Sequence, residues 1–201
     1  MCVNAGGYAF PVDPSLAATD TTVFWAPEAD PGTVVIAQVA HLPPINARPL
    51  ADLTTDHARS SADGRSIVYG EGPASIRLFL APDASPDQPA VAVVPLGPDA
   101  QDRIEAVMRL WRAMNNRRVP ADARMTTQQR RRLRRMLQAV DGHDEGASYR
   151  EIAEAIFGPA RIAEAPWKTS ALRDVTIDLV KDGLSLIDGG YRALLRRRRR
   201  Q

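Results

Sequence analysis

Cysteine, histidine and long hydrophobic stretches are scarce in this 201-residue chain, and each scarcity excludes a class of protein. A single cysteine, Cys2, cannot form an internal disulfide framework or a cysteine-type zinc site. The longest apolar run, around residues 34–37, is far shorter than the roughly 20 residues that a membrane-spanning helix needs. The N-terminus lacks the basic and apolar segments of a secretion signal. We therefore expect a reduced, cytoplasmic protein that does not contact a membrane.

The sequence also lacks the signatures of common enzyme sites. Its three histidines, His41, His57 and His143, are scattered, and none belongs to a His-x-x-x-His or Glu-x-x-His pair. There is no Gly-x-x-x-x-Gly-Lys phosphate loop, and no serine lies in a Gly-x-Ser-x-Gly turn. These absences predict a protein that is not an enzyme and that uses no metal or other cofactor.

Charge is plentiful but unevenly distributed. Residues 1–100 carry four basic and eleven acidic side chains, a net charge of −7, whereas residues 101–201 carry 22 basic and 13 acidic ones, a net charge of +9. Arginine supplies 20 of those 22 basic residues, and its planar guanidinium binds phosphate and guanine through two hydrogen bonds. The C-terminal half therefore suits a nucleic-acid surface, although a solvated helical face with a frayed tail would have the same composition.

The N-terminal half has the pattern of a small sheet. Short β-branched or alternating stretches at residues 33–40, 65–70, 75–81 and 89–96 predict four strands with no long helix between them. The fourth is nearly continuous in apolar residues, so we expect it at the centre of the sheet. Residues 41–64 are polar and contain prolines, which predicts a long surface loop. The sheet should be small and mainly antiparallel.

One helix should cover this sheet. Asp99 is a suitable N-cap, and the helix should continue to about Asn116. Its apolar stripe consists of Ile104, Val107, Met108, Trp111 and Met114. We assign residues 1–116 to a β-rich regulatory or oligomerisation domain. Residues 117–125, with Pro120 and nearby asparagines, form the predicted linker.

Residues 126–195 predict an all-helical domain whose three helices each begin at a cap signal. The first helix starts near Thr126, and the second has a Ser-x-x-Glu capping box at Ser148 and stops at Gly158. The third, capped by Thr169 or Ser170, runs from about Ser170 to Asp188. The predicted buried residues are Leu133, Met136, Leu137 and Val140 in the first helix, and Leu172, Val175, Leu179 and Ile187 in the third.

This layout is typical of a helix-turn-helix DNA-binding unit. The connection from Gly158 to Lys168 has eleven residues, however, where a standard unit has about three or four. Either a short extra turn near residues 160–164 fills the connection, or the motif is a divergent relative. The predicted fold class is therefore α+β: a small, mainly antiparallel sheet with a covering helix, followed by a helix-turn-helix-like domain.

Five arginines lie within six residues, 130–135, and they repel one another unless an anion is present. A positive solvent-exposed face is the alternative explanation. We predict phosphate contacts for Arg130, Arg131, Arg134, Arg135 and Arg150, and we include the neighbouring Ser148 and Tyr149 in the interface. The start of the third helix should contact bases, because the N-terminal part of a recognition helix meets base edges. Its predicted residues are Lys168, Thr169, Ser170 and Arg173.

A basic tail closes the sequence at residues 196–201. Five adjacent charges with no apolar residue among them predict a flexible arm along the DNA backbone or in a minor groove. The predicted contact residues are Arg196, Arg197, Arg198, Arg199 and Arg200.

Several of these segments carry a family resemblance. They are Arg118-Val119-Pro120, Gln128 to Leu133, Gly146 to Ala153, Trp167 to Asp174 and Gly189 to Arg192. Together they resemble the DNA-binding domain of RovC-like bacterial transcription regulators. Upstream, the segments Phe10 to Pro14 and Phe24 to Ile36 are similar to the family's N-terminal region. The resemblance implies an activator that binds double-stranded DNA at promoters of secretion-system or mobile-element genes.

Further partners follow from this interpretation. We expect a homo-oligomer, and a homologous regulator or RNA polymerase is a further candidate partner. An alternative function belongs to a different class: an antiactivator-like interaction module that captures a homologous regulator and never touches DNA. The acidic N-terminal half favours it, because an acidic surface can mask a basic one. RNA binding is a smaller alternative.

Overall fold

The computed structural model describes residues 9–10, 15–16, 21–38, 49–50, 57–85, 87–89, 91–122 and 124–196. These residues form two compact units that divide between Arg124 and Met125, and the chain returns to the first unit at Leu195. Unit 1 contains a β-sheet and one long helix, and unit 2 is helical. The predicted α+β class is confirmed.

The described residues of unit 1 form five strands and one α-helix. They are β1 (Thr33–Ala37), β2 (His57–Ser61), β3 (Gly64–Tyr69), β4 (Ile76–Leu80), β5 (Val91–Val93) and α1 (Ala100–Met114). The strand order is β2-β3-β4-β1-β5, and every neighbouring pair is antiparallel except β1 with β4, which is parallel. The parallel pair is joined through the β2–β3 hairpin, so the predicted mainly antiparallel sheet is confirmed.

The predicted place of the last strand is wrong. β5 has only three residues and lies at the edge of the sheet, where it pairs with β1 alone. Pro89 and Pro95 flank it, and proline, which has no amide hydrogen to donate, is confined to the edges and ends of sheets. Val93 is 40% exposed, so the apolar composition of this stretch does not reflect burial.

A strand also occurs where the sequence predicts only loop. β2 lies within residues 41–64 and pairs with β3 in an antiparallel hairpin. Its side chains are polar and mostly exposed because β2 is the other edge strand, so no alternation marks it. The hairpin depends on Gly64, which has a φ of +143°. A Cβ there would lie 2.3 Å from the Leu80 carbonyl oxygen, so only glycine fits.

The core of unit 1 lies between the sheet and α1. Five strand residues are almost fully buried there: Val34, Ile36, Ile76, Leu78 and Leu80. Each buried side chain of this size stabilises the fold by roughly 1.5–3 kcal/mol. From α1, Ala106 and Leu110 are buried in the same cluster, with Val107, Ala113 and Met114 partly buried beside them.

The predicted stripe on α1 is therefore only partly correct. Val107 and Met114 pack on the sheet, but Ile104, Met108 and Trp111 are 51%, 45% and 44% exposed. The helix has two apolar stripes, and the one that includes the small residues Ala106 and Ala113 packs closely on the sheet. Sequence periodicity favours the stripe with the larger residues, which is the exposed one.

Unit 2 contains four α-helices: α2 (Thr127–Asp144), α3 (Tyr149–Phe157), α4 (Pro159–Ala163) and α5 (Ala171–Ile187). A single 3-10 turn at Trp167–Thr169 lies between α4 and α5, and a six-residue 3-10 segment at Gly190–Leu195 follows α5. α4 and the first 3-10 turn occupy the long connection, so an extra turn is present there. Nowhere in the described ranges is a helix long and apolar enough to cross a membrane.

The predicted caps of unit 2 are present. The Thr126 hydroxyl accepts from the Gln129 amide at 3.2 Å, and Gln129 accepts from the Thr126 amide at 2.8 Å. Ser148 and Glu151 form the same reciprocal box at the start of α3. At α5 the Ser170 hydroxyl accepts from the Leu172 amide at 3.2 Å, which identifies Ser170 as the N-cap. Such caps each stabilise a helix by about 1 kcal/mol.

The helices of unit 2 share one core. It contains Met136, Ala139, Ile152, Leu179 and Val180, with Leu133, Ile156 and Phe157 partly buried against it. Three predicted core residues are exposed instead: Leu137, Val175 and Ile187 are 60%, 40% and 59% exposed. The apolar residues of α2 and α5 cover a wider part of each helix surface than the core buries. At the crossing, small residues such as Ala139 and Gly183 let the two helices lie close together.

Candidate nucleic-acid interface

The arginine cluster of α2 separates into structural and exposed members. Arg132 forms an ion pair with Asp182 of α5 at 2.6 Å, and the Arg135 guanidinium lies over the Phe157 ring at 5.4 Å from its centroid. Arg131 and Arg134 are exposed, and neither forms an ion pair with any residue that the structure describes. Arg130 is exposed on the same side of the helix.

Arg131 and Arg134 are neighbours on one helix face because they are three positions apart. Two like charges at this spacing destabilise a helix slightly, and an anion bound between them removes the repulsion. The solvent face of α2 can therefore hold a phosphate group.

The start of α5 forms a second exposed cationic region. Lys168 and Thr169 are exposed in the 3-10 turn that precedes the helix, and Ser170 caps it. Arg173, in the first turn, has a side chain that is 43% exposed and lies 3.3 Å from the Asp174 carboxylate. The free amides of a helix N-terminus attract phosphate, so Lys168 and Arg173 add to a favourable local potential.

The outer face of α5 is acidic from its first turn onward. Asp174, Asp178 and Asp182 recur every four residues and are all exposed. Carboxylates on one face repel phosphate, so a DNA strand can approach α5 closely only at the residues before Asp174, around the Ser170 N-cap. The i, i+4, i+8 spacing of these three aspartates is visible in the sequence. The predicted interface considers only the basic and polar residues and does not include them.

The residues predicted at the start of α3 are engaged in local structure. The Ser148 hydroxyl donates to Glu151 at 2.7 Å, and Arg150 pairs with Glu154 at 2.9 Å. Tyr149 stacks on His143 with the ring centroids 6.1 Å apart. Hydrogen bonds from the Ser148 side chain and backbone hold the pKa of Glu151 below its usual value, so this region keeps a carboxylate charge.

The predicted interface residues of unit 2 do not form a single cluster. The contacts of α2 with α5 include the ion pair to Asp182 and the packing of Gly183 against Met136 and Val140. Asp182 is twelve residues after Ser170, which is roughly 18 Å along the helix axis. The arginines of α2 and the first turn of α5 are therefore two separate patches on one helical unit.

Only the first arginine of the tail is described. Arg196 is 54% exposed and its guanidinium lies 3.8 Å from the Asp99 carboxylate of unit 1. The preceding Leu195 carbonyl accepts a hydrogen bond from Arg124 at 2.6 Å, which fixes the point where the chain re-enters unit 1. The predicted contact residues Arg197, Arg198, Arg199 and Arg200 lie outside the described residues.

Comparison with known proteins agrees with this basic helical surface. No curated protein matches the chain. Residues 93–196 match the RovC DNA-binding domain family, described as the DNA-binding domain of a T6SS transcription factor. The matched region covers more than half of the chain, including α1 and the whole of unit 2. It is a class of transcription factor and not a class of enzyme. The chain thus belongs to the RovC DNA-binding domain family and is a DNA-binding transcription regulator.

Proposed function

We propose that this regulator binds double-stranded DNA in a sequence-specific manner, as a homo-oligomer, and activates secretion-system genes or genes of mobile elements. The T6SS description of the family supports a role at secretion genes. Its site of action would be promoter DNA in the cytoplasm. The sheet region of unit 1 would serve regulation or oligomerisation, with RNA polymerase as the partner for activation.

The observation that carries this proposal is the exposed arginine face of α2. Arg132 and Arg135 have contacts within unit 2, whereas Arg131 and Arg134 point to solvent without an acidic partner among the described residues. Arginines kept apart from the acidic side chains of their own unit are suited to phosphate. Arg130 completes this basic surface, and Arg150, which pairs with Glu154, contributes from α3.

Base reading is assigned to the start of α5. Lys168, Thr169 and Arg173 are the side chains that can reach base edges, while the amide groups capped by Ser170 face the backbone of the DNA. The acidic face that follows limits the contact to a few base pairs. A base-contacting surface that covers only a few base pairs favours a binding site with repeated half-sites. An oligomer would bind such a site with one copy of the chain on each half-site.

A double variant, R131A/R134A, tests the proposal. Losing two phosphate contacts should weaken binding to a selected operator and to random DNA by similar factors. The slope of log affinity against log salt should become shallower by roughly two. R59A/R65A, which removes two exposed charges from β2 and β3, is the matched control and should leave both quantities nearly unchanged. Equal effects of the two double variants would refute a local contact at α2.

A second candidate function rests on the exposed apolar stripe of α1. Ile104 and Met108 are about half exposed, and DNA binding does not require them. A protein surface would cover them, either in a second copy of this chain or in a homologous regulator. M108E should then lower the molar mass measured by light scattering if the partner is a second copy. Capture of a homologous regulator without DNA retardation would favour the interaction module.

A further inference from the structure

The arginines that precede unit 2 in the sequence fall into two groups, like those of α2. Some make contacts within the fold, and the others are at least partly exposed. Arg103 donates to the Pro27 carbonyl at 2.8 Å, and Arg109 donates to the carbonyls of Pro73, Ser75 and Pro120. Arg124 is bound to Asp30 and Asp122. These three guanidinium groups make contacts that hold unit 1 together.

The other three arginines of this segment face outward at the end of α1. Arg117 and Arg118 are exposed, Arg112 is half-buried, and none of them forms an ion pair with a residue that the structure describes. Asn116 has a left-handed φ of 51°, and the Arg117 amide donates to the Arg112 carbonyl at 2.8 Å. The turn after α1 is thereby fixed, and it brings the three side chains to one end of the helix.

An aromatic side chain orders one of these arginines. The Arg117 guanidinium lies over the exposed Trp111 ring, 4.7 Å from its centroid. A guanidinium stacked on an aromatic face keeps its N–H groups free at the edge, where they can bind a phosphate through two hydrogen bonds. Stacking also reduces the rotamer freedom that binding would otherwise remove. This exposed Trp–Arg stack, with Arg112 and Arg118 adjacent to it in the sequence, has the features of a preorganised anion site.

We infer that Arg112, Arg117 and Arg118, ordered by Trp111, form a second DNA-phosphate contact located on unit 1. The inference rests on the proposed function, because it assigns further contacts to the same DNA ligand. The matched family region supports it, since that region starts at residue 93 and thus includes α1 and the segment up to Arg124. The sequence contains no acidic residue between Glu105 and Asp122, so the end of α1 is locally basic.

The test measures operator affinity of the full chain by fluorescence anisotropy over a salt series of about 50–200 mM. R117A/R118A should weaken binding about tenfold and reduce the salt slope by roughly two. Hydroxyl-radical footprints should lose protected backbone positions at one boundary and keep the rest. R59A/R65A removes the same charge from the same unit and should change neither the affinity nor the footprint.

A second pair of variants isolates the stack. W111F keeps an aromatic face under Arg117, and W111L removes it. W111L should weaken binding by about two- to fivefold relative to W111F, the range expected for an exposed cation–π contact. If R117A/R118A binds like wild type while R131A/R134A is weakened, this second contact does not exist and the proposed function stands. If the wild-type chain binds no DNA, the proposed function itself fails.

Discussion

Individual arginines in this protein have opposite roles that depend on their neighbours. Arg124 is largely buried; burial lowers its pKa, but hydrogen bonds and charge from Asp122 and Asp30 outweigh burial and raise it. Burial raises the pKa of Asp122, but the Arg124 guanidinium and amide outweigh this effect and lower it. Arg124 and Asp122 are therefore both charged at neutral pH, and their interaction stabilises unit 1. Arginines without an acidic neighbour, such as Arg134, remain for a ligand.

Ser170 allows a substitution that separates capping from DNA contact. Asparagine, aspartate and serine cap a helix about equally well, so S170N and S170D should both keep the thermal midpoint of the wild type. S170D places a carboxylate where we propose that a phosphate lies, so it should lower operator affinity about tenfold relative to S170N. Fluorescence anisotropy and a thermal melt of each variant check both expectations.

S170N is the control for S170D, since it changes the side chain without adding charge. Equal affinities of the two variants would place the DNA away from the start of α5, whatever their stabilities.

At the scale of elements, local signals predict unit 2 well. The caps at Thr126, Ser148 and Ser170 determine where α2, α3 and α5 begin, and a cap depends only on residues a few positions apart. Gly158, with a φ of +89°, ends α3 as expected. These interactions are encoded within four residues, so sequence analysis finds them.

The position of a strand in the sheet and the face that a helix buries depend on residues that are distant in the sequence. Both features are therefore harder to predict than helix ends. Nothing within β5 reveals that only β1 lies beside it, and the polar β2 has no burial pattern to detect. On α1 the sheet selects the stripe of Ala106 and Leu110 over that of Trp111. For the candidate interface, the sequence identifies the arginines. It does not reveal which of them form ion pairs within the protein, because Arg132 and its partner Asp182 are 50 positions apart.

The crossing of α2 and α5 depends on Gly183. An added Cβ would lie 2.6 Å from Val140 Cγ2 and 3.1 Å from the Met136 carbonyl oxygen. Alanine improves helix propensity by about 1 kcal/mol, but overpacking of this kind costs about 1–3 kcal/mol. G183A should therefore lower the free energy of unfolding, measured by urea titration.

S185A is the matched control, because Ser185 is exposed two positions along the same helix. It should leave stability unchanged or raise it by a few tenths of a kcal/mol. A G183A protein as stable as the S185A protein would show that the helices can separate at this point without loss.

At the scale of the whole molecule, charge separates along the chain and the basic end includes the tail. Removing residues 197–201 deletes four arginines and keeps Arg196, which lies near Asp99. We expect weaker binding to operator and random DNA by similar factors, and a salt slope reduced by roughly 3.6 when all four arginines contact phosphate. The thermal midpoint should not move, since Leu195 and its bond to Arg124 remain. Selective loss of operator binding would instead make the tail part of the base-reading surface.

Sequence-specific DNA binding can be measured by a mobility-shift titration of the full chain against genomic fragments, at ordinary salt and with excess random competitor DNA. We expect a small subset of fragments to stay retarded in the presence of competitor and to be released as the salt concentration rises. R131A/R134A should shift the same fragments only at higher protein concentration. No retarded fragment, or equal release of all fragments by competitor, would contradict sequence-specific DNA binding by this protein.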